Sequence, residues 1–433
     1  MLGFIKKAPV PFLSAIALLS SLFFLFSIIE TKAASFQPAS ASLILTTGNV
    51  SPLPSSCIHP VMMCYSSDPS VLSVSDRGIL QAKREGEADV LYGRDGVLSI
   101  LKVTVIDPYT GTKSVPKTTE VSFEVEEPLL FMEEGDSHSI TLNDSAGRPV
   151  PNRSVFSWSS SDTAVVKVSS LGEITARKRG SAVVTCRIGA SCKSVYVNVI
   201  TRDYVGKACD FTMLTADGTP RTYRMFKQNA HNYPKYDSYL AWHGCATCSL
   251  ATVLGAYHPA YHGILPSAII DGVEKGNVPP SAWRREHVER SLPKQMPLSL
   301  YGISTILNNC GISADYVRTY QEQEGAEDII NHLKTGNPII FEVRQKSNIT
   351  GKKSHRWTNS YHTMVFLGVL TNGKVMVCDS IDRGWDNNGE RIKLVDLSDV
   401  MEYMFPCTTF SKSMYYDGAS SDGGYIKISA AEN

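Results

Sequence analysis

The sequence has no surplus of charge: 42 lysines and arginines are matched by 42 aspartates and glutamates, for a formal net charge of zero. That removes the electrostatic reason to expect a nucleic-acid partner, because such binding rests on cations meeting phosphates. Paired CxxC spacing is missing too, which argues against structural zinc, and no metal or cofactor is expected. Long apolar runs are scarce. One spans residues 10–29, after Lys6 and Lys7, and ends at Glu30-Thr31-Lys32-Ala33-Ala34-Ser35. A basic start, an apolar stretch and a small-residue exit read as a signal peptide or N-terminal anchor over residues 1–34. The rest of the chain is then expected outside the cell membrane, secreted or at a bacterial cell surface, with no second span and no C-terminal anchor.

At 433 residues the chain can hold roughly two to four domains. Ten cysteines in an exported protein raise the question of disulfides. Cys57 and Cys64, and Cys186 and Cys192, have the spacing of local staples across hairpins. Cys209, Cys310, Cys378 and Cys407 read as unpaired core or strand residues.

The first half lacks helical periodicity and repeats itself. At a constant offset of 94, Asp68 matches Asp162, Val71 Val165, Val74 Val168, Gly78 Gly172, Leu80 Ile174, Ala82 Ala176, Gly86 Gly180, Ala88 Ala182 and Val90 Val184. Alternating apolar residues with glycines at turns predict a small β-sandwich, present twice. The pattern S-S-D-x-x-V-x-x-V…G-x-[IL]-x-A…G-x-A-x-V resembles bacterial Ig-like domains of the intimin and invasin type (group 2), over residues 38–106 and 119–200. The resemblance implies a stalk or adhesive module without catalysis. Residues 107–116 read as a linker.

From about residue 210 the texture changes. Helices are predicted over 245–257, 301–309 and 327–334, the last stopped by Gly336-Asn337-Pro338. Strands are predicted over 338–343, 362–370 and 374–379, with Asn372-Gly373 turning the final pair. Helices followed by an antiparallel sheet make an α+β domain, so the fold class is multidomain: two all-β sandwiches, then an α+β domain at 205–427. The loop 344–360 is expected to rim a site.

Trp242-His243-Gly244-Cys245-Ala246-Thr247-Cys248, followed by an apolar run, places a thiol on the first turn of a buried helix. Free N–H groups and the helix dipole favour the thiolate there. A cysteine nucleophile needs a base, and the base needs an orienting acceptor. His362 opens one strand and Asp379 closes the next, so pairing of the two strands makes them neighbours. Cys245 on a helix, with His and Asp on a hairpin, resembles the papain-like cysteine peptidases of the bacteriocin-processing (double-glycine leader) type. It looks like their secreted relatives without a transporter, so the resemblance implies no ATP.

That resemblance covers about residues 205–410. It implies Cys245 as nucleophile, His362 as general base, Asp379 as orienter and a peptide or protein substrate, with cell-envelope components suggested by the stalk. Two features depart from the family. Ala246-Thr247 stand where it has Gly-Pro, and the upstream oxyanion glutamine is best matched by Gln228, seventeen residues before Cys245. Two alternatives stay open: an inactive adhesive or cell-wall-binding protein with the same fold, and a thiol–disulfide oxidoreductase using Cys245 and Cys248. Against the second, no βαβ pattern precedes the helix. His243 reads as shaping a cleft, His355 as a solvated loop residue and Trp385 as a core or surface aromatic.

Overall fold

The structure is a computed structural model that describes residues 35–37, 42–53, 63–94, 97–110, 115–201, 209–229, 233, 236–270, 299–344, 357–358, 361–381, 392–407 and 423–430. The expected signal segment, Cys57, His355 and Trp385 lie outside the described residues. Two compact units divide the chain, residues 1–121 and 122–433.

In the first unit, strands Ser35–Gln37, Ser42–Thr46, Met63–Ser66, Gly86–Arg94 and Val97–Ile106 form one sheet. Val50–Pro52, Leu72–Val74 and Ile79–Ala82 form a second, and Leu72, Leu80, Val90 and Val103 fill the space between as a β-sandwich. The repeat seen in sequence is realised strand by strand. Met63–Ser66 recurs as Ser157–Ser160, Leu72–Val74 as Val166–Val168, Ile79–Ala82 as Glu173–Ala176, Gly86–Arg94 as Gly180–Ile188 and Val97–Ile106 as Ser191–Ile200. The opening strand Ser42–Thr46, parallel to the last one, recurs as Leu129–Glu133 at a shorter offset of 87. The second copy therefore holds seven more residues between its opening strands and Ser157.

The matched residues do matched work. Asp68 accepts from the N–H of Ser70 and Asp162 from that of Ala164, each at 2.9 Å, closing the same turn. A Cβ on Gly86 or Gly180 would lie 2.8 or 3.1 Å from the methyls of Val71 or Val165, so the turn valine can pack only against glycine. The expected Cys186–Cys192 staple is corrected. Cys186 faces Lys193 and Cys192 faces Arg187, so the two thiols fall on opposite faces of the hairpin, one buried and one exposed.

The C-terminal part of the second unit begins with a hairpin, β1 (Cys209–Leu214) and β2 (Pro220–Met225). It continues with α1 (Asp237–His243), α2 (Cys245–Tyr257), α3 (Pro266–Ile270), α4 (Leu300–Asn309), β3 (Ile312–Val317) and α5 (Glu322–Lys334). Then come β4 (Ile339–Arg344), β5 (Tyr361–Val369), β6 (Lys374–Cys378), β7 (Ile392–Asp396), α6 (Leu397–Met401) and β8 (Tyr425–Ala430). The last six strands make one antiparallel sheet in the order β3-β8-β4-β5-β6-β7. Ile340, Val365, Leu367 and Met376 pack on one face with α2 and α4. Phe341, Met364, Phe366 and Val377 pack on the other with α5 and α6. Alternation in each strand supplies both faces, as a sheet between two helical layers requires.

The second sandwich is continuous with this core. Leu129, Phe131 and Ile200 join the cluster around α2. The N–H of Thr371 donates to the Phe131 carbonyl at 2.8 Å, and the Asn198 amide holds both the N–H and the C=O of Leu214.

Candidate active site

Helix α2 begins at Cys245 and ends at Tyr257, the bounds its apolar run predicts, and its residues from Cys245 to Gly255 are all buried. The sequence reading missed α1, a seven-residue helix that stops at Gly244. Gly244 caps one helix and starts the next. Its N–H donates to the Leu240 carbonyl, and a Cβ there would meet that oxygen at 2.5 Å. Only a residue without a side chain lets α1 abut α2 this closely. The arrangement brings Cys245 to the start of β5, where Ser249 Oγ donates to the Thr363 carbonyl at 3.2 Å.

Three parallel lines of alternation put His362 on β5, Asp379 just past β6 and Lys393 on β7 on one face of the sheet, continuing the rows of Met364, Val377 and Val395. Val365 pairs with Cys378, so His362 and Asp379 are diagonal rather than facing neighbours, still within reach of each other. His362 Nε2 lies 2.7 Å from Asp379 Oδ1. The same oxygen accepts the N–H of Ile381 at 2.9 Å, and Oδ2 accepts from Lys393 Nζ at 2.8 Å. All three side chains are buried.

With Nε2 on the carboxylate, the same imidazole also acts on the Cys245 thiol, together with Thr363. Burial alone would raise the Cys245 thiol, but the hydrogen bond and charge of His362 outweigh it and bring the thiol below its ordinary range. Burial would likewise lower His362. The charge and hydrogen bond of Asp379, then Cys245, raise it to about 9. Burial would raise Asp379, yet His362 and then Lys393 hold it at about 2. The arrangement favours a thiolate beside an imidazolium, the reactive form of a cysteine nucleophile.

Gln228 arrives from the end of the β1–β2 hairpin, and α1 folds into the seventeen-residue interval that separates it from Cys245. Its backbone N–H donates to the Ser380 carbonyl and its Oε1 accepts from Ser380 Oγ, both at 2.8 Å. Its Nε2 donates to the Ala241 carbonyl at 3.2 Å. A Cβ on Gly244 would lie 3.0 Å from Gln228 Cβ, so the glutamine stands between the start of α2 and the Asp379 segment. The structure thus gathers Cys245, His362, Asp379 and Gln228 in one place.

The sequence reading missed Lys393 and Tyr239. Lys393 sits mid-strand among apolar residues, and its only signal is a charge on a row that alternation turns inward. Tyr239 is on α1, and its hydroxyl is raised first by burial and then by the charge of Cys245. His243 is exposed and packs its ring on Tyr239, 5.2 Å between centroids. His258 and His262 stand four apart, but among the described residues no group of three or more His, Cys, Asp or Glu gathers as metal ligands.

The profile of the Peptidase_C39 like family matches residues 221–403. No curated protein matches the chain. Among solved structures it is similar to domains 4 and 5 of the S-layer protein SbsC, at 22% identity, 32% of this chain, 70% of that chain and a TM-score of 0.17. Domains 1–6 of SbsC give 20% identity, 37% of this chain, 24% of that chain and 0.18. Invasin, a bacterial integrin-binding protein, gives 15% identity, 35% of this chain, 33% of that chain and 0.20. The chain thus spans about a quarter of the longer SbsC fragment and a third of invasin. The segment matched by the family profile contains Gln228, Cys245, His362, Asp379 and Lys393 and carries a fold related to the cysteine peptidases.

Proposed function

We propose that the C-terminal region is an exported cysteine hydrolase that cleaves a peptide or related amide bond. The observation that carries the proposal is the buried His362–Asp379 pair at 2.7 Å, whose imidazole also lowers the buried Cys245 thiol. The Cys245 thiolate attacks the substrate carbonyl and forms a tetrahedral adduct. The backbone N–H of Cys245 and the Gln228 amide, whose second hydrogen remains beyond the one given to Ala241, stabilise its oxyanion. His362, as imidazolium, protonates the departing amine, and the C–N bond breaks. Neutral His362 then takes a proton from water, which attacks the thioester, releases the acid and returns the thiolate. Asp379 holds His362 in the tautomer and orientation these steps need. The two sandwiches serve as the stalk of a secreted or surface-displayed bacterial protein, which makes peptides or cell-envelope components the substrates within reach.

One observation favours a second reading, a binding protein with the same fold and no turnover: Cys245 is only 4% exposed, little room for a carbonyl. Cys245→Ala and Cys248→Ala, each treated with a thiol-directed activity probe and a pool of fluorogenic peptides, separate the readings. Labelling and hydrolysis lost only with Cys245 support the hydrolase. Labelling that needs both cysteines points to redox chemistry, and no labelling or cleavage in the wild type points to the binding protein.

A further inference from the structure

Asp379 is held from both sides. His362 reaches it from β5 and Lys393 from β7; the Lys393 side chain is 3% exposed, and its Nζ lies 2.8 Å from the carboxylate oxygen that His362 does not use. Around this line stand Cys245 on α2 and Tyr239 on α1 at one end. Glu342 on β4, buried and paired with Thr363, and the Cys378 thiol on β6 stand nearby in the sheet. At the far end the Trp357 ring lies 5.9 Å from Lys393 Nζ, and its indole N–H donates to the Asp399 carbonyl of α6.

A thiolate, an imidazolium, a carboxylate and an ammonium alternate in sign and sum to zero. Without the ammonium, the carboxylate would claim the imidazolium charge, and a second buried anion, the thiolate, would form against it. We infer that Lys393 is a positioning residue of the site: its ammonium balances Asp379, so that the charge on His362 is left to stabilise the Cys245 thiolate. The inference rests on Cys245 and His362 being the reactive pair proposed above. It makes the third member of the triad a neutralised unit, electrically closer to an amide than to a free carboxylate.

The test is the pH dependence of Cys245 alkylation by iodoacetamide in the full-length chain, followed by mass spectrometry of the peptide that contains it. In Lys393→Met the acid limb moves up by about one pH unit or more, a tenfold slower reaction below the limb, because the thiolate then forms beside an unbalanced carboxylate. In Asp379→Asn/Lys393→Met the limb returns close to wild type. A limb that does not move in folded Lys393→Met overturns the inference. If Lys393→Met does not fold, Asp379→Asn decides against the double variant. Stranding the ammonium should lower the melting temperature more than removing both charges, and the opposite order overturns it. The alkylation readout uses no substrate, so a wild type that cleaves no peptide counts against the hydrolase, while the titration still judges Lys393.

Discussion

At the scale of single residues, the site is a titration problem. A thiol lowered by His362 and an imidazole raised to about 9 define a window, ending near pH 9, in which both are charged. Peptide hydrolysis should therefore follow a bell whose acid limb lies below the ordinary thiol range and whose alkaline limb lies near pH 9. A kcat/KM profile that still rises above pH 9 would contradict the ion pair. The same shifts govern stability. His362 is raised above its ordinary 6.5, so its contribution is full below that value and fades as pH climbs through about 9. Asp379 is depressed below 3.8, so its contribution is present above that value and fades as pH falls toward about 2. Melting temperature against pH should thus plateau between the two ordinary values and fall on either side. Gln228→Ala should lower kcat by about 10²–10³-fold while Cys245 alkylation persists, since the loss falls on the oxyanion and not on the thiol.

At the scale of elements, the site depends on two helices meeting at one glycine. Gly244→Ala places a methyl 2.5 Å from the Leu240 carbonyl and close against Gln228, so α1 and α2 must part. The change should cost about 1–3 kcal/mol, as overpacking does. Because Cys245 is the next residue, its alkylation should slow as well. Thermal melting and alkylation rate measured on the same variant check both. Why α1 escaped the sequence reading is physical: only Leu240 of its seven residues is buried, too few for an apolar stripe. The neighbouring α2 is buried from Cys245 to Gly255, and the small residues and apolar run after Gly244 identified it. The β5–β6 hairpin was legible from Asn372-Gly373, where Gly373 adopts φ 84° and its N–H closes the turn on Leu370.

At the scale of the molecule, the second sandwich is part of the folded unit that holds the site. Phe131 contributes a backbone acceptor to Thr371 and a side chain to the core around α2, and its ring lies against Gly368 of β5. Phe131→Ala, 78 residues before the hairpin of β1 and β2 begins, should cost about 3–5 kcal/mol, read as a lowered melting temperature of residues 122–433. A fragment starting at residue 205 should melt lower still or fail to fold, since Leu129, Phe131 and Ile200 leave its core uncovered. A 205–433 fragment as stable as 122–433 would show the sandwich to be dispensable.

Local chemistry was enough for much of this. The repeat at offset 94, the buried helix that begins at Cys245 and the hairpin that carries His362 and leads into Asp379 follow from alternation, the apolar run and turn residues. What remained depends on distant segments meeting. Gln228 reaches Gly244 only because α1 folds into the interval, and Lys393 meets Asp379 only because β7 pairs beside β6. The faces of Cys186 and Cys192 hang on a one-residue choice of register, and the sandwich enters the site's core through contacts across more than two hundred residues. Spacing along the chain carries no record of such meetings, because pairing, register and packing arise only when the whole sheet closes.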